Sequence, residues 1–327
     1  MSSPILMAYD FDGTGGGKTL VGEAIGDSLE ASKLAWVHLN ALHKDTKPWL
    51  KKELSYLDPY IVEGLLAEET RPRMTQINDG ALIVLRGVNL NENAKPEDMV
   101  SIRIWIDPSR IITVQKRQLK SILKIEESIQ KGCGPKDAAG FLAFLLKNLT
   151  GPIESIMAAL DDQLDAIEMQ VLETEASHLR KEIIMVRRQT ILFRRHISPQ
   201  RDALNHMLLS DLSWFTQNDR RNFQERHDQM IRYVEDLDAL RERAQIVKDE
   251  LSNMLAERLN KNMYVLSLIS MIFLPLGFLT GLLGINVGGL PGLNNDNAFY
   301  IFCGILGLIS FLQILIMRKF KWLKATS

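Results

Sequence analysis

The sequence predicts an α+β soluble domain, followed by very long helices and a C-terminal hairpin of two membrane-spanning helices. Three observations lead to this prediction. Short segments rich in β-branched residues alternate with turn residues in the first third of the chain. A helical pattern without Gly or Pro runs from Gln217 until Pro275. Two uncharged segments, Met263–Leu283 and Ala298–Met317, are each about 20 residues long, enough to cross a hydrocarbon core of about 30 Å.

The chain divides into four predicted regions: an α/β domain (1–134), a region of long helices (135–262), the hairpin (263–317, with a connecting loop at 284–297) and a basic tail (318–327). Two buried helices of a soluble enzyme are the disfavoured alternative, because core helices seldom stay apolar all round. Basic residues flank the hairpin on its outer sides: Arg258, Lys261, Arg318, Lys319, Lys321 and Lys324. The loop has no Lys or Arg, so both termini are expected in the cytoplasm.

Composition excludes several classes of function. The chain has 39 basic and 40 acidic residues, and we expect no basic face for nucleic acid. Its two cysteines, Cys133 and Cys303, lie in unrelated contexts, so neither a disulfide framework nor a cysteine-rich zinc site is predicted. The N-terminus lacks the pattern of a secretory signal, and membrane insertion is therefore expected to depend on the hairpin.

The first region should hold a mixed sheet with helices packed on it. The segment Lys51–Glu68 is predicted to be mostly helical. The predicted strands are Ile5–Phe11, Lys18–Val21, Ala35–Leu39, Ala81–Val88, Met99–Ile106 and Arg110–Gln115.

Two motifs near the N-terminus invite an enzymatic interpretation. Asp10 and Asp12 follow an apolar strand in the sequence DFDGT, which resembles the nucleophile motif of haloacid-dehalogenase-type phosphatases. A turn rich in Asp and Gly is the favoured interpretation, because short motifs without context are prone to false matches. The adjacent GTGGGKT resembles a phosphate-binding loop, but Asp12 stands where that loop needs Gly and would repel a phosphate.

A third candidate site involves histidine. His38 and His43, with Asp45, could outline a metal site, although their spacing matches no familiar ligand geometry and no cysteine joins them. A structural histidine is the favoured interpretation. No resident cofactor is predicted for the chain.

Beyond Gly134 the sequence becomes helical. A helix over Lys136–Leu149 should stop at Thr150-Gly151-Pro152, and Ile153–Arg195 should form one long amphipathic helix. A break or kink is predicted around Pro199. Thr216 and Asp219 form a capping box at the start of the last long helix, which should continue into the first span.

The end of the first span carries a resemblance. Gly284-Ile285-Asn286, followed by a short loop, a second span and a basic tail, resembles the CorA superfamily of divalent-cation transporters. The sequence GINVGGLPG is similar to the zinc-transporting ZntB branch, whereas magnesium-transporting relatives carry Gly-Met-Asn and an acid after the loop proline. Here Gly292 follows Pro291. Further segments similar to the zinc branch are Trp36–Leu39, Thr70–Arg73, Arg187–Gln189 and Ser198–Asp202.

The resemblance implies a funnel-shaped homopentamer in the inner membrane, with the first span lining the pore. It implies a transporter rather than an enzyme, with zinc as the ion, proton coupling, and the lipid bilayer, divalent cations and other copies of the chain as partners. A magnesium or cobalt channel of the same fold stays the close alternative. A membrane-anchored phosphatase using Asp10 and Asp12 is the distant one.

One stripe of the long helix is small or polar. Steps of four and three residues backwards from Gly281 follow the narrow stripe that a coiled coil uses as its contact. Such a stripe suits helix packing, but a water-filled path through a pentamer is favoured. Ile246 and Ala256 lie on this stripe, and we call its other residues the seam: Asp249, Asn253, Asn260, Met263, Ser267, Ser270, Leu274, Gly277 and Gly281.

Residues along and beyond the seam have predicted roles. The amide oxygens of five Asn286 side chains should bind the water shell of a divalent ion at the outer mouth, with Gly284 allowing the turn beside Ile285. Leu274 and Met263 are candidate constrictions. The other predicted roles are an acidic ring in a cytoplasmic funnel for Asp249, with Asn253 beside it, a hinge for Pro275 and the charge of the outer loop for Asp296.

Overall fold

The computed structural model describes residues 3–173, 178–285 and 296–320. The chain separates into two compact units, Met1–Val247 and Lys248–Ser327. The first holds a mixed sheet and long helices, and the second holds the apolar hairpin segments. The predicted fold class, an α+β domain followed by long helices and apolar C-terminal helices, is confirmed. The domain boundaries at residues 134 and 262 stay predictions.

The sheet of the first unit has seven strands in the order β2-β1-β3-β7-β6-β5-β4. Neighbouring strands are antiparallel, except that β3 and β7 run parallel. Six of the strands were predicted within a few residues, and β4 was not predicted. The strands are β1 (Ile5–Phe11), β2 (Gly17–Thr19), β3 (Ala35–Asn40), β4 (Arg73–Ile77), β5 (Gly80–Gly87), β6 (Val100–Ile106) and β7 (Arg110–Gln115).

Four short helices accompany the sheet: α1 (Ala24–Glu30), α2 (Thr46–Glu53), α3 (Pro59–Leu66) and α4 (Lys120–Gln130). The segment Lys51–Glu68, predicted to be mostly helical, contains the end of α2 and all of α3. Asp58 begins α3 as its N-cap, accepting a hydrogen bond of 2.9 Å from the backbone N–H of Tyr60, and Pro59 occupies the first turn. A cap and a proline in this order start a new helix instead of continuing the old one.

The centre of the sheet packs against α5 (Ala138–Glu173) through aromatic side chains. Trp36 of β3 is fully buried, and its ring meets that of Phe141 edge-on with centroids 5.1 Å apart. Its indole N–H donates to the hydroxyl of Thr113 on β7 at 2.8 Å. The polar edge of the ring is thus satisfied within the core, as burial of an indole requires.

The helix break predicted at Thr150-Gly151-Pro152 is absent, because α5 continues through Pro152. Proline lacks an N–H, so the carbonyl four residues earlier, that of Asn148, loses its helical donor. The Ser121 hydroxyl of α4 supplies a replacement, donating to the Asn148 carbonyl oxygen at 3.1 Å. Buried contacts on both sides, from Leu149 and Ile153, hold the helix together across the proline.

The long helix predicted over Ile153–Arg195 is also wrong as a single element. The structure has α5 ending at Glu173 and α6 (Leu179–Leu209) beginning after it, and the two helices are in contact. A break near Pro199 is absent as well, since α6 runs through it, whereas a kink there stays a prediction. Ile197 and Leu204 on either side of Pro199 are fully buried, which favours continuation of the helix.

The last long helix, α7 (Gln217–Leu283), follows the prediction. Thr216 and Asp219 exchange the hydrogen bonds of a capping box at its start. Within the first unit, Arg243 of α7 donates to Asp161 and Glu168 of α5 at 2.6 and 2.9 Å. The final helix is α8 (Ala298–Lys319).

Candidate ion path along the first span

Helices α7 and α8 each contain a stretch long and apolar enough to cross a membrane. No residue in either stretch is buried within the chain, unlike the core helices of soluble proteins. The two stretches fall in the segments that the sequence predicted as spans. The candidate ion path is therefore sought on the faces of these two helices.

One stripe of α7 is shielded. Gln313 of α8 donates from Nε2 to the carbonyl oxygen of Met271 at 3.3 Å, which joins α8 to this side of α7. Half-buried residues of α8 recur at helical spacing as well, among them Leu306 and Gln313. The half-buried residues of α7 in its apolar part are Tyr264, Leu268, Ile272, Leu276 and Leu279.

The seam lies on the other side of α7. With 3.6 residues per turn, its members in the span are centred about 160° from the shielded stripe. All of them are exposed in the single chain, and Leu274 and Met263 are 76% and 66% exposed. A Cβ placed on Gly277 or Gly281 would meet nothing within 4 Å. The predicted path residues thus share one open face that α8 leaves uncovered.

A shallow groove runs along this face in the span. It is lined by three seam residues, Ser270, Leu274 and Gly277, together with Phe273, Pro275 and Phe278. The hydroxyl of Ser267 donates to the Met263 carbonyl of its own helix at 2.8 Å. The oxygen of Ser267 therefore keeps its lone pairs for water or an ion, because its proton is already engaged.

The polar part of the seam continues towards the start of the second unit. Asn260, Asn253 and Asp249 are exposed on α7. Asp249 Oδ1 lies 3.5 Å from Lys248 Nζ, so its charge is partly balanced by a neighbour. A ring of such residues would present neutral amides and partly compensated carboxylates, which attract a divalent cation without holding it tightly.

At the other end, α7 finishes on glycine. The Gly284 N–H donates to the carbonyls of Thr280 and Gly281 at 2.9 and 3.2 Å. A Cβ at this position would lie 2.9 Å from the Thr280 carbonyl oxygen, so glycine is needed here for close approach. Ile285 is 48% exposed, and Asp296 is exposed. Asn286 lies outside the described residues, and its role stays a prediction.

Three backbone amides of the glycine-rich loop in the first unit bond to the loop's own Asp12 and are not free for a phosphate. Asp12 Oδ1 accepts hydrogen bonds from the backbone N–H groups of Thr14, Gly15 and Gly16 at 2.7, 3.1 and 3.0 Å. These bonds, that from Thr14 first, lower the pKa of the Asp12 carboxyl. The same loop packs against the end of α4, where the Gly134 N–H donates to the Gly15 carbonyl at 2.7 Å. The motif is a structural turn, as the sequence favoured.

The sheet also argues against the phosphatase alternative. Strand β1, which carries Asp10, is antiparallel to both of its neighbours. The phosphatase hypothesis needs a parallel α/β core with acidic side chains gathered at the strand ends. Such a phosphatase would also need a further pair of acids, and the adjacent acids Asp161 and Asp162 lie in α5, where Asp161 is ion-paired with Arg243.

The histidine cluster does not form a metal site. The His38 ring is fully buried in the sheet, where its Nδ1 lies 2.7 Å from the Thr113 hydroxyl. Burial lowers the pKa of His38 to about 4, so the ring is neutral near pH 7. Elsewhere, His43 Nδ1 is 3.7 Å from Asp45. Within residues 3–173, 178–285 and 296–320, no group of three or more His, Cys, Asp or Glu is placed to hold a metal ion.

One residue of the hairpin was missed by the sequence reasoning. Gln313, the only Asn or Gln between Ala298 and Met317, is the side chain that bonds Met271 across the two helices. A lone amide in an apolar span is itself a signal, since polar groups there need a partner. The partner could not be read from the sequence, because it is a backbone carbonyl on another helix.

Comparison with known proteins agrees with this architecture. Residues 31–321 match the family model described as "CorA-like Mg2+ transporter protein". The chain is similar to the divalent cation transporter CmaX of Pseudomonas aeruginosa, with 36% identity over 98% of this chain and 97% of the relative. It is also similar to the zinc transport protein ZntB of Yersinia enterocolitica, with 32% identity over 98% of this chain and 97% of the relative.

The likeness extends to a solved structure of comparable length. The structure of full-length CmaX superimposes with a TM-score of 0.84 at 34% sequence identity. The match covers 97% of this chain and 98% of that one, so it includes the sheet, the long helices and the apolar hairpin segments together.

Proposed function

Because the chain belongs to the CorA-like family of Mg2+ transporter proteins, we propose that it is a homopentamer that carries zinc across the inner membrane. In this proposal the first spans of five copies surround the path, and the seam residues form its wall. Both termini lie in the cytoplasm. The family consists of transporters of divalent cations, which also sets the phosphatase alternative aside.

The observation that carries the proposal is the division of α7 into two faces. Its shielded stripe is apolar and lies on the side of α8, whereas the opposite face carries Ser267, Ser270, Gly277 and Gly281 and is open. A helix that packs on its own hairpin partner with one face can line a pore with the other. Small side chains let five such helices approach, and the hydroxyl oxygens keep the path wettable.

The chemistry of the seam favours passage of a hydrated ion. It offers hydroxyl, amide and carboxylate oxygens but no His or Cys, the ligands that zinc prefers when it is held directly. Zinc as the cargo is therefore supported by similarity to proteins named for zinc transport, and not by a binding site. Proton coupling rests on the same similarity. Transport of magnesium or other divalent cations is the second candidate, supported by the CmaX relative.

A flux assay separates these candidates. The purified protein is reconstituted in liposomes that contain a zinc-sensitive dye, and external zinc is added with and without a pH gradient. Zinc entry that the gradient enhances and excess magnesium barely reduces is the expected result. Entry indifferent to pH and competed by magnesium would assign the chain to the second candidate. Absence of flux of either ion through intact pentamers would overturn the proposal.

The outer mouth is tested with a matched pair of variants. Asn286→Leu removes the proposed amide ring and should abolish transport while the oligomer, measured by light scattering, stays intact. Asn295→Leu makes the same chemical change at a residue nine positions later in the sequence, to which no role is assigned, and should transport normally. Normal flux in Asn286→Leu would exclude the amide ring.

A further inference from the structure

The proline of α7 and the glutamine of α8 are connected through one carbonyl group. Pro275 has no N–H, so the carbonyl of Met271, four residues earlier, has no helical donor. The Nε2 group of Gln313 lies 3.3 Å from that carbonyl oxygen. The second helix thus supplies the donor that the first helix lacks.

The chemistry fixes how the glutamine is oriented. A carbonyl oxygen can only accept, so the NH2 group of Gln313 must face Met271 and the amide oxygen must face away. That amide oxygen, Oε1, is buried and has no hydrogen-bond partner within the part of the chain that the structure describes. Burial of an amide oxygen without a hydrogen-bond partner costs free energy. The hydrogen bond of the NH2 group is therefore the interaction that stabilises Gln313 at this position.

The location makes this contact costly to lose. Met271 lies near the middle of the apolar segment Met263–Leu283, where no water is available to replace a missing donor. Hydroxyl groups in the same helices bond within their own helix instead: Ser310 Oγ donates to the Leu306 carbonyl at 2.8 Å, and Thr280 Oγ1 to the Leu276 carbonyl at 2.9 Å. The glutamine is long enough to cross to the neighbouring helix.

The same arrangement, in which a side chain of a neighbouring helix donates to a carbonyl that a proline leaves without a donor, occurs elsewhere in the chain. In α5, Pro152 leaves the Asn148 carbonyl without a donor, and Ser121 of the neighbouring helix α4 donates to it at 3.1 Å. Both prolines are thus tolerated inside helices by a side chain from an adjacent helix. In the first unit the arrangement is enclosed in a core. In the second it borders Leu274, the most exposed large side chain of the seam in the span.

We propose that Gln313 is a positioning residue of the transport path, which holds the turn from Met271 to Pro275 and thereby sets the position of Leu274. The proposal rests on the function proposed above, in that Leu274 is taken as a constriction of the path. With Gln313 in place, the turn keeps its hydrogen bond and one bend of α7 is favoured. Without Gln313, the Met271 carbonyl has no donor, and other bends of α7 become comparable in free energy to the favoured one. The relative populations of the conformations of the constriction at Leu274 therefore change.

The test uses two substitutions and their combination in the full-length protein. Gln313→Met keeps the length of the side chain but removes the donor. Pro275→Ala returns an N–H to the Met271 carbonyl, so Gln313 is no longer needed. Gln313→Met alone should change the maximal rate of zinc flux by at least about threefold, the population shift that one typical interhelical hydrogen bond controls. The half-saturating zinc concentration should stay the same, because the proposed ion-binding groups are untouched.

In the Pro275→Ala background, adding Gln313→Met should cause no further change in rate. Ser310→Ala is the matched control, since its hydroxyl bonds its own helix, and it should behave as the parent protein. An unchanged maximal rate in Gln313→Met, or a full additional effect of that substitution in the Pro275→Ala background, would overturn the proposal. A purely packing role of Gln313 would give that additive result.

A second measurement stands apart from transport. In detergent, Gln313→Met should lower the thermal unfolding temperature of the parent protein but not that of Pro275→Ala. If the parent protein transports no ion, the proposed function fails. The pattern of unfolding temperatures still tests the hydrogen bond between Gln313 and Met271. If the two substitutions lower the unfolding temperature independently, the bond between Gln313 and Met271 is refuted, whatever the flux.

Discussion

The hydroxyl of Ser121 lies 3.1 Å from the carbonyl oxygen of Asn148, which Pro152 leaves without a helical donor. Removing the hydroxyl with Ser121→Ala leaves this carbonyl unsatisfied in the interior between α4 and α5. We expect the free energy of unfolding to fall by about 1–3 kcal/mol, the cost of an unpaired buried polar group. Urea denaturation of the purified protein, followed by tryptophan fluorescence, measures the change.

Ser128 provides a matched control on the same helix. It is as buried as Ser121, but its hydroxyl donates to the Ile125 carbonyl within α4 at 2.7 Å. Such a bond within one helix adds little to stability, so Ser128→Ala should cost less than Ser121→Ala. Equal losses would show that the Asn148 carbonyl does not depend on Ser121. In a Pro152→Ala background, the penalty of Ser121→Ala should become small.

Arg243 ties α7 to α5 in the first unit through Asp161 and Glu168. Hydrogen bonds from Arg243 to the carboxylates of Glu168, first, and Asp165 also raise the pKa of its guanidinium above the usual range. Arg243→Met should leave several acids facing one another and lower the stability by roughly 1 kcal/mol, a modest value because the groups are partly exposed. The loss should shrink in high salt, which screens the repulsion among the acids.

Arg241 is the comparison for this substitution. Its guanidinium lies 3.6 Å from Asp238, and its side chain is 46% exposed. Arg241→Met should therefore change the stability by a few tenths of a kcal/mol at most. A loss in Arg243→Met that does not respond to salt would point to packing of the aliphatic stem, and not to the ion pairs.

The buried ring of His38 predicts a pH dependence of folding. Its pKa is lowered from 6.5 to about 4 by burial, so the unfolded chain binds more protons than the folded one between these values. The stability that depends on neutral His38 is therefore complete above pH 6.5 and is lost as the pH falls towards 4. From pH 7 to pH 5 the loss should be about 2 kcal/mol. Urea denaturation at a series of pH values measures it.

Two variants make the origin of this slope clear. His38→Leu removes one of two histidines whose pKa burial lowers to about 4, the other being His196, and should reduce the dependence of stability on pH in this window by about half, even if the variant is less stable at pH 7. His178→Leu changes an exposed histidine and should leave the slope as it is. A slope in His38→Leu as steep as that of the parent protein would show that His38 does not contribute to it.

Most elements could be predicted from local pattern, and the errors have a common cause. The capping box of Thr216 and Asp219 and the two spans depend only on neighbouring residues or on runs of one type. The predicted break at Pro152 failed because a residue distant in sequence, Ser121, replaced the missing donor. The break at Pro199 failed because burial outweighs local propensity. A proline signals a missing hydrogen bond, and only the fold shows whether another group supplies it.

The sequence predicted some features of the candidate path but not others. Periodicity alone identified the seam from Met263 to Gly281, because a helical stripe is a local property. The position of α8 on the opposite side of α7 needed the structure. So did the contact of Gln313 with Met271, which joins residues far apart in the chain. Neither the sequence nor the structure determines the identity of the ion, since oxygen ligands that contact only its water shell discriminate weakly between divalent cations.

The faces of α7 lead to the last prediction, which concerns access to water. In a background with Cys133→Ser and Cys303→Ala, single cysteines are placed on the seam at Ser267, Ser270 and Gly277. If this face lines a water-filled path, these cysteines should react with a small cationic thiol reagent in intact proteoliposomes, and zinc should slow the reaction. Mass spectrometry of the extracted protein gives the rate of modification at each position.

Cysteines on the shielded stripe, at Leu268, Ile272 and Leu276, are the comparison. They face α8 and should stay unmodified, because thiolates form poorly in an apolar contact. If the seam is instead a dry contact between helices, its cysteines should resist the reagent as well and form disulfides between copies when an oxidant is added. If the seam cysteines are modified, zinc slows their modification and no disulfides form between copies, the dry contact is excluded. Of the two interpretations of this face of α7, only the water-filled ion path then remains.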